Sequence, residues 1–132
     1  MLYDSNCNAI LVAPLKTRQA HKITQQWKQL HAKLTKHCHV TTNYIMDNEF
    51  SADPKATLTK ATLQYELASQ NIQRHNAAKR AIRTFKNHFL EGIATCSPTF
   101  PITKWDQFLT HAQVTLNLLH FPHQSKIIHL IT

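Results

Sequence analysis

Apolar residues recur along the chain with two different periods, and the alternation between them predicts a small α/β domain. Asn8-Ala-Ile-Leu-Val-Ala-Pro-Leu15 is a short apolar run rich in branched residues, and Tyr3-Asp-Ser-Asn6 precedes it. The run predicts a buried strand, and the four residues before it a turn. From Thr17 onward, Ala20, Ile23, Trp27, Leu30 and Leu34 recur at steps of 3, 4, 3 and 4. That is the stripe of an amphipathic helix, with Thr17 as its N-cap. His39-Val-Thr-Thr-Asn-Tyr-Ile-Met-Asp47 is β-branched and aromatic and closes on Asp47-Asn48. It predicts a second strand that carries an acid at its C-terminal lip. Asp53-Pro54 then opens a short helix through Leu67, with Pro54 at its first position.

The strongest helical pattern begins at Asn76. Ala78, Ile82, Phe85, Phe89 and Ile93 fall on one side, while Lys79, Arg83 and Lys86 stack on another with Arg80 and Asn87 beside them. This helix is expected to end between Gly92 and Cys96. Thr103-Lys-Trp-Asp106 resembles a capping box, and Trp105, Phe108, Leu109, Ala112, Leu116 and Leu119 supply the apolar side of a last helix. Strand, helix, strand, then helices is an α/β order with a small mixed sheet.

Length and composition narrow the classes. A chain of 132 residues holds one domain with one core. A single glycine, Gly92, excludes the phosphate-cradling loops that need two or three, and disfavours all-β folds built on primed hairpins. Hydrophobic residues at 42% suffice for a core, so the chain is not a disordered basic tail. The longest apolar run, Ala9 to Leu15, falls far short of the roughly 20 residues of a membrane span. No basic and apolar leader is visible at Met1-Leu-Tyr-Asp4, and Cys7, Cys38 and Cys96 are odd in number. Both features predict reduced thiols inside a cell, in nucleus or cytoplasm, and no membrane partner.

Charge then suggests a partner. Fifteen Lys and Arg against seven Asp and Glu leave a net charge of +8, and ten histidines raise it further below about pH 6.5. Such an excess suits nucleic acid. Taken alone, Lys79, Arg80, Arg83 and Lys86 suit a DNA-facing stripe and a solvated helix face equally well. Taken alone, Asp47 beside Asn48 is explained better by a turn than by a metal ligand. His37-Cys38-His39 and His120-x-x-His123 lack four ligands at zinc spacing. Trp27, Trp105, Phe85 and Phe89 lie on apolar stripes and are expected in the core.

Three segments together resemble the catalytic core of a retroviral-type integrase, as carried by copia-like and related retrotransposons. They are Tyr3-Asp4-Ser5 with Asn8-Ala-Ile-Leu-Val-Ala-Pro-Leu-Lys16, then Asp47-Asn-Glu-Phe50, then His75-Asn-Ala-Ala-Lys-Arg-Ala-Ile-Arg-Thr-Phe-Lys-Asn-His88. The resemblance runs from about Tyr3 to Leu119. It implies a ribonuclease-H-like fold, a five-stranded mixed sheet with helices on both faces, over residues 1–120, with 121–132 as a C-terminal tail. It also implies three acids holding two Mg²⁺ or Mn²⁺ ions, polynucleotidyl transfer on DNA by in-line displacement, and a homodimer. Asp47 matches the family's second acid and is the one catalytic metal ligand carried over.

The sequence departs from that pattern twice. Where the family places Glu after Asn-Ala-Ala, this chain has Lys79. A pair of unit charges about 4 Å apart at an effective dielectric of about 20 interacts by roughly 4 kcal/mol, so an ammonium is repelled by a dication by about twice that. The family's first acid lies on a central strand preceding the Tyr3-Asp4-Ser5 hairpin, and the resemblance begins after it. The expected molecule is therefore an incomplete ribonuclease-H-like fold lacking its first strand, a degenerate integrase remnant that binds no Mg²⁺ or Mn²⁺ and does not catalyse. Lys79, Arg80, Arg83 and Lys86 would make non-specific phosphate contacts to DNA. The competing readings are a non-catalytic basic nucleic-acid-binding module of other descent, and a pseudogene fragment without function.

Overall fold

A computed structural model of the chain describes residues 1–5, 7–36, 43–46, 55–56, 59–60, 63–67, 77–119 and 128–130. Within them lie strands β1 (Leu2–Asp4), β2 (Ala9–Leu11), β3 (Asn43–Met46), β4 (Gln64–Leu67) and β5 (Ile128–Leu130), with helices α1 (Ala20–Lys36), α2 (Ala77–Ala94) and α3 (Trp105–Leu119). A 3₁₀ turn over Ile102–Lys104 leads into α3. The strands form one mixed sheet in the order β2-β1-β5-β3-β4. β1 is antiparallel to both β2 and β5, while β3 is parallel to both β5 and β4.

Period-two alternation sends neighbouring residues of β1 to opposite faces, and each face has its own helices. Leu2 joins Tyr44 and Met46 of β3 and buries them against Trp27, Leu30 and Leu34 of α1. Tyr3 joins Ile10 of β2 and packs with Ala78, Ala81 and Phe85 of α2 and Leu109, Ala112 and Leu116 of α3. The result is a three-layer α/β/α arrangement.

The free edge of β2 is covered by side-chain amides. Asn117 accepts from the Ile10 N–H and donates to the Ile10 carbonyl, both at 2.8 Å, and Gln113 accepts from the Val12 N–H at 2.8 Å. Four residues of helix rise about 6 Å and two residues of strand about 6.6 Å, so Gln113 and Asn117 meet alternate strand residues. An edge that could pair with another chain is thereby satisfied within the molecule. Helices α2 and α3 meet at an aromatic ladder in which Phe85 stacks on Phe89 at 5.9 Å and Phe89 tilts against Phe108 at 5.5 Å. Gly92 makes room for it, because a Cβ there would lie 2.4 Å from Phe108 Cζ.

Several expectations change. Tyr3 and Asp4, read as a turn, belong to β1, because pairing with both β2 and β5 extends the hairpin backward. Thr17 does not cap α1, which begins at Ala20 with the Gln19 carbonyl accepting from Lys22 and Ile23. Gln64–Leu67, assigned to a helix through Leu67, forms β4, where parallel pairing with β3 overrides local propensity. Trp105 is 38% exposed and Leu119 68%, although both continue apolar stripes; they are the first and last residues of α3. Residues 128–130, read as part of a tail, form the strand between β1 and β3. The backbone groups expected to lack a partner without a first strand are paired there with β5.

Gly92→Ala should therefore destabilise the protein by about 1–2 kcal/mol in urea unfolding, since displacement of the Phe108 ring outweighs the helix-propensity gain of about 1 kcal/mol. Adding Phe108→Leu should remove most of that penalty in a double-mutant cycle. Additive costs would contradict the close approach of Gly92 and Phe108.

Candidate nucleic-acid interface

Helix α2 has its orientation fixed by what it buries. Ala78, Ala81 and Phe85 are held against the sheet and α3, so Lys79, Arg80, Arg83 and Lys86 are all exposed. Lys79, Arg83 and Lys86 follow each other at spacings of four and three residues and therefore share one stripe. From Lys79 to Lys86 the stripe extends about 10 Å along the axis, comparable to several phosphates of one DNA strand at about 3.4 Å of rise each. The first turn of α2 contains no acid. Lys79 and Arg80 thus stand at the positive end of the helix dipole, an arrangement that costs a few tenths of a kcal/mol or more per charge. Bound anions would reverse the sign of that cost.

At the base of this helix lies the β1–β2 turn. Asp4 is a buried carboxylate, 2% exposed, and accepts from the Cys7 thiol at 3.1 Å. Burial and that hydrogen bond push the Cys7 thiol up to about 11, so it stays protonated and a poor nucleophile near neutrality. The Tyr3 hydroxyl donates to Asn8 Oδ1 at 2.8 Å, and Asn8 adopts a left-handed φ of 54° that asparagine tolerates. Burial raises the Tyr3 phenol, and the nearby Arg80 guanidinium partly offsets it.

Asp47 lies outside the described residues, as do His37, Cys38, His39, His120 and His123. The register nevertheless places Asp4. It pairs with Ile128, which faces Tyr44, whereas Leu2 pairs with Leu130, which faces Met46. Asp4 therefore lies about 6.6 Å along the sheet from the level of Met46, toward the opposite strand end. Among the described residues no three His, Cys, Asp or Glu side chains gather as a metal site, and no helix is long and apolar enough to cross a membrane.

A second group of polar aromatic side chains, not anticipated from the sequence, lies in the core under α1. His31 stacks on Trp27 at 5.3 Å, Trp27 meets Tyr44 edge-on at 5.9 Å, and His31 Nδ1 hydrogen-bonds the Tyr44 hydroxyl. His31 lies four residues after Trp27, one helical turn along from that member of the apolar stripe, and this spacing is the signal that could have found the pair. Among the described residues, Trp27 Nε1 is buried without a hydrogen-bond partner. Burial lowers the His31 pKa below 6.5, which keeps the ring neutral and able to accept from Tyr44.

A histidine whose folded pKa is depressed is protonated first in the unfolded chain, so its contribution is complete above the unfolded value of 6.5 and is lost as pH falls below it. Urea midpoints of the parent should therefore fall more steeply than those of His31→Gln between about pH 7 and pH 5. Equal slopes would show that His31 titrates alike in both states. Comparisons of the chain with protein-family models, curated proteins and solved structures return no match.

Proposed function

We propose that this chain is an integrase-core-like domain, of ribonuclease-H-like descent, that binds DNA through phosphate contacts and does not catalyse strand transfer. The observation that carries the reading is the cationic stripe of α2, turned outward by the burial of Ala78, Ala81 and Phe85 on its other side. Exposed lysine and arginine at helical spacing, with no acid in the first turn, suit a polyanion and give no base readout. The kinship rests on the three sequence segments and is supported by a five-stranded mixed sheet with helices on both faces.

A pair of Mg²⁺ or Mn²⁺ ions does not fit these residues. The strand in the centre of the sheet reads Ile128-His129-Leu130 and brings no carboxylate, and the helix position where the family has Glu is Lys79 with Arg80 beside it. Hard dications require several oxygen ligands, and two cations in their place oppose binding.

Affinity for a duplex of arbitrary sequence should fall with salt at a log–log slope of about −3, near −0.9 for each of three or four phosphates neutralised. Replacing Lys79, Arg83 and Lys86 by alanine should flatten that slope by most of its value. A slope near zero in the parent removes phosphate contact from the account. Strand-transfer assays with Mg²⁺ or Mn²⁺ should show no turnover for the parent or for Lys79→Glu. Robust turnover by either would overturn the non-catalytic reading.

A further inference from the structure

A cleft of about 460 Å³ opens between the start of α1 and the start of α3, and no residue of α2 lines it. Its size falls in the range of small-ligand sites, about 300–1,000 Å³. One wall carries Lys16, from the β2–α1 connection, with Lys22, Gln25 and Gln26 of α1. Spacings of three and four residues bring Lys22, Gln25 and Gln26 to one side of that helix. The other wall is Trp105 and Asp106 at the first turn of α3. Among the described residues neither lysine forms an ion pair.

These groups make three kinds of contact at once. Two ammonium groups suit a phosphate as point charges. A half-exposed indole offers a flat apolar face on which any base can stack. Glutamine amides and one carboxylate can read the edge of a base, and a carboxylate accepts from the exocyclic amine of cytosine. The apolar stripe would have placed Trp105 in the core, and its exposure beside two lysines is what separates this cleft from an ordinary gap between helices.

We propose that this cleft binds a nucleotide unit, with its base stacked on Trp105, its phosphate held by Lys16 and Lys22, and amino-bearing bases favoured by Asp106. The inference is independent of the α2 stripe. The nucleotide is either a free mononucleotide or the phosphorylated end of a single strand, which share this chemistry.

The test uses the full chain and tryptophan fluorescence, with side-chain amide NMR of Gln25 and Gln26 as a second readout. Trp27 is 4% exposed, so ligand-dependent quenching reports Trp105. Cytidine monophosphate should quench saturably, while cytidine or inorganic phosphate alone should bind about tenfold or more weakly. Lys16→Ala with Lys22→Ala should weaken binding about tenfold or more, and Asp106→Asn should erase any preference over uridine monophosphate. Alanine at Lys79, Arg83 and Lys86 should leave it unchanged. Saturation by a 5′-phosphorylated oligodeoxycytidylate identifies a strand end as the source, and saturation by the mononucleotide alone identifies the free nucleotide. Absence of saturation by both, or saturation unaffected by the double lysine substitution in both readouts, overturns the proposal.

Discussion

Everything in the sheet depends on a three-residue strand in its middle. β1 and β2 form one antiparallel pair, β3 and β4 one parallel pair, and among the described strands β5 alone joins the two. A two-stranded unit is marginal by itself in water. The core under α1 draws Leu2 from one pair and Tyr44 and Met46 from the other. Those side chains can meet α1 together only while β5 holds β1 and β3 two strand spacings apart, about 9.5 Å. Both ladders of β5 also satisfy backbone groups of β1 and β3 that would otherwise face a gap.

The opposite layer is less dependent on that strand and more on helix contacts. Tyr3 and Ile10 meet α2 and α3, the Phe85, Phe89 and Phe108 rings join the two helices, and Gly92 lets them approach. Asn117 and Gln113 then tie α3 to the β2 edge. Through this layer the sheet sets the facing of α2, and the facing of α2 sets which of its charges meet solvent. The cationic stripe is thus a consequence of packing on the far side of the same helix.

The sequence made the helices legible because their periodicity is physical: Trp27, Leu30, Leu34, Phe85, Leu109, Ala112 and Leu116 are buried where the stripes put them. The exposure of Lys79, Arg80, Arg83 and Lys86 was legible for the same reason. Strands depend on partners distant in sequence: the apolar and β-branched runs made Ala9–Leu11 and Asn43–Met46 legible, while the other three were not. Gln64–Leu67 is held by β3, and Ile128–Leu130 by β1 and β3, and neither short segment announces its partner. The cleft beside Trp105 was equally hidden, since it arises from Lys16, Lys22 and Asp106 meeting across more than eighty residues of chain. Of the candidate site, the basic half was readable and lies on the described surface, while Asp47 rests on the sequence resemblance alone.

Equilibrium urea unfolding of His129→Pro tests the central position of β5 most directly. Proline removes a ladder N–H and is tolerated in sheets essentially only at edges, so in a central strand it should cost about 3 kcal/mol or more and broaden or abolish the cooperative transition. An unfolding curve superimposable on that of the parent would contradict the account, because it would mean that residues 128–130 do not hold β1 and β3 together.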